Sequence, residues 1–394
     1  MLGIDAGCAN DPELAAAADR LSRAGVEVTL NASRDVRVLG QARTLIKSPG
    51  VPQRAQVVVA ARDRGIPILG ELELAWRLLP NEFVAVTGTN GKTTTTEWIG
   101  HIHRTAGVAV AVAGNVGTAA SSLVGQVDRE AVVVCEASSF QLEDTALFAP
   151  EVALLLNLSP DHLDRHGSFE NYRLAKMRVF DGQDEQGLAV MPEGFSLPVR
   201  ARVIHYGQGP EAELAAEIQL PGDHNRENGM AAAAVCLARG IESEAVAAGL
   251  RTFRGVAHRL EQIAEIDGVA WINDSKATNV ASTLVALRAF ASGVHLIAGG
   301  RAKGQDFSPL APLVAQRCKA VYLVGEAASQ ISRALGATGV PLHELGELEG
   351  AVAAARADAR PGDTVLLSPA CASYDQFRDF EERGERFRVL VEGG

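Results

Sequence analysis

The sequence has few aromatic residues, no closely spaced cysteines and no long hydrophobic run. Its five cysteines are odd in number and widely spaced, without any C-x-x-C pair, which argues against a disulfide framework and a zinc knuckle. No apolar run approaches the ~20 residues that cross a bilayer, and Asp5 stands where a signal peptide carries basic residues. We therefore expect a protein of the reducing cytoplasm. The cysteines are Cys8, Cys135, Cys236, Cys318 and Cys371.

The charge balance is acidic: 37 Lys and Arg face 48 Asp and Glu, a formal net charge of −11. This balance argues against a broad surface for nucleic acid or anionic membrane, whereas a local phosphate site remains compatible with it. We expect small-molecule partners, with no nucleic acid and no membrane, and a monomeric chain.

Short apolar runs alternate with helical stretches along the chain. Abundant Ala, Gly and Val suit parallel strands covered by small-residue helices better than a sandwich or barrel. The sequence thus predicts an α/β fold, with domains at 1–80, 81–256 and 257–394 separated near Pro80 and Gly255. Buried strands are predicted at 83–87, 131–135, 152–156, 269–272, 294–298, 320–324 and 364–367.

The strongest local signal is a glycine-rich loop between a predicted strand and a predicted helix. Backbone N–H groups, the helix N-terminus and Lys92 converge there on one anion, which indicates a nucleoside triphosphate. Lys92 would reach the β and γ phosphates, and the Thr93 hydroxyl would bind Mg²⁺. The usual spacing requires glycine where Val86 stands, so the loop is a shortened variant, and an ordinary glycine-rich turn is the alternative. The predicted ATP-binding residues here are Gly88, Thr89, Asn90, Gly91, Lys92, Thr93 and Thr94.

Two polar clusters follow later apolar runs, one beginning at Glu136 and one spanning residues 157–166. In a parallel sheet both emerge at the carboxyl edge beside the phosphate loop. An ionised carboxylate directly after a buried strand is energetically unfavourable unless a metal or another cation balances its charge. Glu136 therefore indicates a metal site. His162 alone is equally compatible with an ordinary hydrogen-bonded loop histidine.

Several strings, taken in order, resemble the Mur ligase family of ATP-dependent, amide-forming enzymes. They are G-T-N-G-K-T-T (88–94), G-N-V-G (114–117), E-A-S-S-F-Q-L-E (136–143), N-L-S-P-D-H-L-D-R-H (157–166), Y-R-L-A-K-M-R (172–178) and H-N-R-E-N (224–228). Two further strings, N-D-S-K-A-T-N (273–279) and L-S-P-A-C-A-S-Y-D-Q-F (367–377), resemble the members that add D-glutamate to UDP-N-acetylmuramoyl-L-alanine. The resemblance runs from about Asp5 to the C-terminus. It implies a central P-loop ATPase-like parallel sheet between an incomplete Rossmann-like N-terminal domain and a Rossmann-like C-terminal domain.

The resemblance implies that ATP phosphorylates the substrate carboxylate to an acyl phosphate, which the amine of glutamate then attacks. Four residues would be catalytic: Lys92, Glu136, His162 and Lys176. Two Mg²⁺ ions are expected, one held by Thr93 and Glu136 and the other served by His162 and Lys176. The resemblance implies that Lys176 is carbamylated, because an ammonium would repel the metal; an exposed helical lysine is the alternative.

Further binding residues follow from the resemblance, position by position. Asn225 and Asn228 would contact adenine and nearby groups, while Arg259 and Asp274 would reach phosphate and ribose from the third domain as the domains close. Asp5, near the uracil, and Asn115 and His162, near the reacting carboxylate, would bind the nucleotide-sugar substrate. The residues implied for the amino acid and its surroundings are Lys276, Thr278, Lys303, Ser373, Tyr374 and Phe380.

The family's first strand and glycine-rich turn have no counterpart before Leu2, so we expect an upstream extension of about 25 residues, one βα unit. Reduced binding of the nucleotide sugar is the alternative. Three other functions stay open at this point: another ATP-dependent amide ligase of the same architecture (one that adds a diamino acid, or a folylpolyglutamate synthase), an idle nucleotide-binding paralogue and a P-loop kinase. The strings at 273–279 and 367–377 count against the first, and intact Lys92, Glu136, His162 and Lys176 count against the second.

Overall fold

A computed structural model of the protein describes residues 2–5, 12–32, 36–115, 117–220, 222–302 and 305–393. The chain divides into two compact units, Met1–Phe253 and Arg254–Gly394. Two residues singled out from the sequence, Cys8 and Lys303, lie outside the described residues. The finer division into three domains, with its boundary after residue 80, stays a prediction.

The first part of the first unit contains two small parallel sheets of two strands each, β1 with β2 and β3 with β4. Helices connect the strands within each pair, as parallel pairing requires. The elements are β1 Leu2–Ile4, α1 Pro12–Arg23, β2 Glu27–Thr29, β3 Leu45–Lys47, α2 Gln56–Asp63, β4 Ile68–Gly70 and α3 Glu71–Leu78.

The main sheet of the first unit has six parallel strands in the order β10-β9-β8-β5-β7-β6. Its central strands are continuous apolar runs because helices and loops cover both faces. The strands are β5 Phe83–Thr87, β6 Val110–Gly114, β7 Val132–Glu136, β8 Val152–Leu155, β9 Leu188–Pro192 and β10 Arg202–Tyr206. The helices are α4 Lys92–Thr105, α5 Ser139–Leu142, α6 Leu163–His166, α7 Phe169–Met177, α8 Pro210–Glu213, α9 Asp223–Ala238 and α10 Ser243–Thr252.

The strand order brings three chain segments together at one edge of this sheet. β5 lies between β7 and β8, with Val86 opposite Glu136 and Thr87 opposite Leu155. The carboxyl ends of these three strands are therefore neighbours, and the loops that follow them meet.

The second unit has its own six-stranded sheet in the order β11-β12-β16-β13-β14-β15, parallel except for the antiparallel pair β11 and β12. Apolar clusters cover both of its faces. The strands are β11 Glu261–Ile266, β12 Val269–Asn273, β13 Val294–Gly299, β14 Cys318–Val324, β15 Leu342–Gly346 and β16 Thr364–Leu367. The helices are α11 Val280–Arg288, α12 Ala311–Arg317, α13 Ala328–Leu335, α14 Leu348–Asp358 and α15 Phe380–Glu392.

The predicted α/β class is confirmed, and each of the seven predicted strands is present within two residues at either end. In the part of the chain that the structure describes, no helix combines the length and apolarity needed to cross a bilayer. The four described cysteines are free thiols.

Candidate active site

The glycine-rich loop joins β5 to α4 as the sequence predicts. Helix α4 begins at Lys92, and Gly91 before it is in the left-handed conformation with φ 82°. The Lys92 ammonium donates to the Thr89 carbonyl oxygen at 2.8 Å. The loop thus holds a cation at the N-terminus of a 14-residue helix, where the helix dipole also favours an anion.

Asn228 of α9 lies directly against this loop. Its side chain is buried, and a Cβ added to Gly91 would overlap the Asn228 Oδ1 atom. Asn225, one turn earlier on α9, is half-buried. The structure therefore brings Asn228, predicted as an ATP contact, to the phosphate loop.

Replacing Gly91 with alanine is expected to raise the KM for ATP by about tenfold or more, because the added Cβ strains a left-handed residue and displaces Asn228. Gly107→Ala is the matched control, since Gly107 also has positive φ (72°) but nothing lies within 4 Å of its added Cβ. Steady-state kinetics at varied ATP checks this. Equal KM values for the two variants would mean that the contact with Asn228 is unimportant.

Glu136 is the last residue of β7, so the prediction that it follows the strand is off by one position. Its carboxylate is buried and accepts two hydrogen bonds, from the Thr93 hydroxyl at 2.7 Å and from the Asn115 amide at 2.9 Å. Both donors are neutral, so they solvate the charge of Glu136 without neutralising it. Hydrogen bonds thus connect Thr93, predicted in the phosphate loop, and Asn115, predicted to contact the substrate, to Glu136, predicted as a metal ligand.

The donor chemistry of this pair fits Mg²⁺, which prefers hard oxygen ligands and binds proteins through one or two carboxylates beside substrate phosphates. Thr93 and Glu136 offer such oxygens next to the phosphate loop. Across the described ranges, no group of three or more His, Cys, Asp or Glu side chains is arranged to hold a metal by itself. The protein oxygens would therefore need phosphate or water to complete a coordination shell.

Lys176 of α7 is buried, which is inconsistent with the alternative of an exposed helical lysine. Its ammonium donates to the Gly88 carbonyl oxygen at 2.6 Å and lies 4.8 Å from the centre of the Tyr172 ring. Burial, and then the nearby charge of Lys92, lowers the pKa of Lys176 to about 7. The side chain thus reaches the phosphate loop, and its lowered pKa favours the neutral amine more than in an exposed lysine.

His162 stands at the start of α6 in the left-handed conformation, with φ 50° and ψ 35°. Its side chain is 49% exposed, and its ring packs against Phe140 at 4.9 Å and Tyr172 at 6.3 Å between centroids. The structure places no direct contact between His162 and Lys176 among those it describes. Their shared role at a second metal stays a prediction.

The loop after β8 holds the phosphate loop in place, a role that the sequence did not reveal. The Asn157 side chain accepts from the Asn90 backbone at 2.9 Å, and the Thr89 hydroxyl donates to the Ser159 carbonyl at 3.2 Å. The Tyr172 hydroxyl also donates to Thr89 at 3.1 Å. The position of Asn157 directly after a buried strand, at the same edge as Gly88, was the available signal.

In the second unit, Asp274 follows β12 and is buried. It accepts from the Ser368 hydroxyl at 2.7 Å and the Leu260 backbone at 3.1 Å. Burial raises the pKa of Asp274 to about 7, against the opposing effects of these hydrogen bonds and of nearby Arg259. The two predicted residues Arg259 and Asp274 therefore interact electrostatically within one unit.

The residues predicted to bind the amino acid that the structure describes all lie in the second unit. The Lys276 ammonium lies 5.8 Å from the centre of the Phe380 ring, and the Thr278 backbone donates to the Lys276 carbonyl at 2.9 Å. Ser373 is buried, whereas Tyr374 is 48% exposed. The structure describes no contact that joins Ser373 to Thr278, so their convergence on one ligand stays a prediction.

Asp5 lines a cavity of about 710 Å³ in the first unit, together with the segment after β3. Lys47 on its wall is buried and pairs with Asp144 at 2.7 Å. The predicted uracil-binding residue Asp5 therefore faces this cavity. Its other lining residues are Ile4, Leu45, Ile46, Ser48, Gly50, Val51, Pro52, Arg54, Ala55, Gln56, Val57 and Val58.

Comparison with known proteins gives matches to two family models and to full-length relatives. The Mur ligase middle domain matches residues 86–196, and the Mur ligase, glutamate ligase domain matches residues 258–371. A UDP-N-acetylmuramoylalanine--D-glutamate ligase of Pelotomaculum thermopropionicum is 44% identical over 94% of this chain and 88% of its own length. One of the same name from Acidobacterium capsulatum is 45% identical over 88% of this chain and 82% of its own length.

Solved structures share the fold at lower identity. The UDP-N-acetylmuramate-alanine ligase of Thermotoga maritima has a TM-score of 0.55 at 19% identity, covering 100% of this chain and 99% of its own. The MurF ligase of Thermotoga maritima, solved in complex with ADP, has a TM-score of 0.55 at 17% identity over 90% of this chain and 96% of its own. With relatives at 44–45% identity over most of its length, the chain belongs to the Mur ligase family.

Proposed function

We propose that this protein is an ATP-dependent ligase that joins D-glutamate to UDP-N-acetylmuramoyl-L-alanine in the synthesis of peptidoglycan precursors. The observation that carries the proposal is the junction of the phosphate loop with a buried carboxylate, through the 2.7 Å hydrogen bond between Thr93 and Glu136. The printed names of the relatives at 44–45% identity support the choice of substrates.

The reaction has two balanced steps. First, an oxygen of the substrate carboxylate attacks the γ-phosphorus of ATP, the bond to the β,γ-bridging oxygen breaks, and an acyl phosphate and ADP form. Second, the amine of D-glutamate attacks the acyl carbon, phosphate leaves, and the nitrogen loses a proton. Charge develops on phosphoryl oxygens and then on a tetrahedral oxyanion, so catalysis depends on positioned cations and donors.

In the first step, Lys92 and the backbone N–H groups at the start of α4 bind the transferred phosphoryl group. Asn228 and Asn225 bind the adenosine side of ATP, with Asn228 already against the loop. Asn115 and His162 orient the substrate carboxylate, and Asn115 also donates a hydrogen bond to Glu136 at 2.9 Å.

Thr93 and Glu136 would hold one Mg²⁺ ion, and His162 and Lys176 would bind a second. When bound, Mg²⁺ would neutralise the negative charge of the phosphoryl oxygens. Lys176 suits this role after carbamylation. Its neutral amine attacks CO₂, a C–N bond forms and a proton is released, which replaces a cation by an anion with two oxygens. A pKa lowered to about 7 by burial favours this, because only the neutral amine reacts.

In the second unit, Arg259 and Asp274 contact ATP, while Thr278, Lys303, Ser373 and Phe380 bind D-glutamate, with Lys276 and Tyr374 beside them. A cation and hydroxyl donors suit a glutamate carboxylate. The nucleotide sugar occupies the cavity at Asp5. The free thiols of the four described cysteines support a reducing cytoplasm as the site of this reaction, which we expect a monomer to carry out.

Phosphate release by the purified full chain tests the proposal, with ATP, Mg²⁺ and both acceptor substrates present and each omitted in turn. We expect release only when both UDP-N-acetylmuramoyl-L-alanine and D-glutamate are present, in equal amount to a new amide product. ADP formation without an amino acid, together with a stable phosphorylated product, would identify a kinase instead.

A further inference from the structure

Helix α6 carries His162 at its N-terminus but is a single turn, Leu163–His166. A helix this short is not stable in isolation, because nucleation costs more than one turn of hydrogen bonds returns. The left-handed conformation of His162 is also unfavourable for a residue with a side chain. Contacts from outside the turn must therefore hold the His162 imidazole in place.

His166, the last residue of the turn, contacts a neighbouring segment. Its side chain is 2% exposed, and its two ring nitrogens reach α5 and the residue that follows α5. Nδ1 lies 3.0 Å from the Glu143 carboxylate, and Nε2 lies 3.0 Å from the Ser139 hydroxyl. Because a carboxylate can only accept, Nδ1 carries a proton; in the neutral ring, Nε2 accepts the Ser139 proton.

Aromatic packing connects His166 to the ring of His162. The Phe140 ring stacks on His166 at 5.6 Å between centroids and also contacts His162 at 4.9 Å. Tyr172 contacts the same two histidines, at 5.4 and 6.3 Å. The guanidinium of Arg165 lies 4.1 Å from the Phe140 centre and 3.3 Å from Glu143, which adds a second link between α6 and α5.

Helix α5 is itself fixed to the end of β7. Ser138 caps it in a capping box with Gln141, and Ala137 donates its backbone N–H to Val86 of β5 at 2.9 Å. His166 therefore connects the turn that carries His162 to the segment that follows Glu136.

We infer that His166 is a positioning residue that, through Ser139 and Glu143, holds the His162 ring in place against Phe140 and Tyr172 for the phosphoryl-transfer step. The inference rests on the proposed function for its effect on turnover. It does not require His166 to touch ATP or either acceptor.

The activity test compares two His166 variants in the full chain. His166→Phe keeps an aromatic ring but loses both hydrogen bonds, whereas the His166→Gln amide can donate to Glu143 and accept from Ser139. We expect His166→Phe to lower kcat by about 10- to 100-fold with the KM for ATP within about twofold, because a small misplacement of a reacting group affects the chemical step. We expect His166→Gln to recover part of that loss. His205→Gln, on the exposed edge strand β10, is the control expected to retain wild-type kcat.

A second readout does not depend on turnover. In protein labelled with ¹³C at histidine Cε1, the His162 signal, identified by its loss in His162→Asn, reports the position of that ring. Ser139→Ala keeps every aromatic ring but removes a partner of His166, so we expect the His162 signal to move toward that of exposed His205. The signal should stay in place in His205→Gln apart from the missing His205 peak.

The outcomes separate the two proposals. An active wild type with wild-type kcat in His166→Phe would overturn the positioning role and leave the proposed function intact. An inactive wild type would refute the proposed function, and the His162 signal would still decide the positioning role: movement in Ser139→Ala supports it, and an unchanged signal overturns it. If His166→Phe fails to fold, the positioning role is tested by the kcat of His166→Gln and by the His162 signal in Ser139→Ala.

Discussion

Lys92→Met is expected to reduce D-glutamate-dependent phosphate release by about 1,000-fold or more, because it removes the cation that stabilises the negative charge developing on the transferred phosphoryl group. The methionine keeps most of the side-chain volume and helix propensity at the first position of α4. The loop backbone, the Thr93–Glu136 hydrogen bond and Asn228 should stay in place. The loss should therefore appear in kcat and not in folding.

Lys319→Met is the matched control for this substitution. Lys319 is a 54% exposed lysine of the second unit, paired with Asp363 at 2.6 Å, and has no proposed role in the reaction. Continuous phosphate assay of both variants, with thermal unfolding of each, separates the two cases. Retention of more than about a tenth of wild-type activity in Lys92→Met would contradict the role of this loop in phosphoryl transfer.

Lys176→Ala is expected to lower activity by about 100- to 1,000-fold, because the ligand oxygens of the carbamate and the contact with Gly88 are lost together. Wild-type activity should also fall when CO₂ is removed and return when bicarbonate is added. Protonation opposes carbamylation, so with a pKa of about 7 and a constant concentration of dissolved CO₂ the recovery should be faster and more complete as pH rises through 7. A ¹³C carbamate signal from labelled bicarbonate, present in the wild type and missing in Lys176→Ala, checks the modification directly.

Lys276→Ala is the control for the carbamate signal, since Lys276 is a second partly buried lysine and stacks on an aromatic ring. It should retain the ¹³C signal, whatever its activity. Activity of the wild type that is independent of CO₂ at every pH, with no carbamate signal, would mean that Lys176 acts as an unmodified amine.

Most interior strands could be predicted from sequence because parallel strands buried on both faces are uninterrupted apolar runs, but the interior strand β9 was missed although it is equally apolar. β5 and β16 were predicted at their observed bounds. The edge strands β10 and β15 were missed since their side chains are mostly exposed and their sequences are polar. The antiparallel β11 was missed for a related reason: it is half-buried, and its Glu and Gln residues interrupt the apolar pattern.

The structure brings predicted residues together where chemistry and strand order coincide. Glu136 ends β7 and the phosphate loop follows the adjacent strand β5, so their meeting was expected, and Thr93 does contact Glu136. The contact between Asn228 and Gly91 depends on how α9 packs across the sheet, which spacing alone does not specify. The burial of Lys176 could not be predicted from its local sequence either, because that sequence has the composition of an exposed helix.

The supporting residues were the least predictable. His166 lies in the quoted string after β8, four residues from His162, but its partners Ser139 and Glu143 belong to α5 and the residue after it, which follow β7. Only the three-dimensional pairing of α5 with α6 gives it a role. Positioning residues form no recognisable sequence motif, because their role depends on the side chains that they contact in the folded structure.

The most direct test of the central claim is a competition for one acyl phosphate. The full chain is supplied with ATP, Mg²⁺ and UDP-N-acetylmuramoyl-L-alanine in the presence of equal D-glutamate, ¹³C-labelled L-glutamate and meso-diaminopimelate, and the nucleotide products are weighed by mass spectrometry. The account predicts a single product with the mass of unlabelled glutamate added and one water lost. A diaminopimelate adduct, a labelled adduct or a phosphorylated substrate as the main product would contradict it.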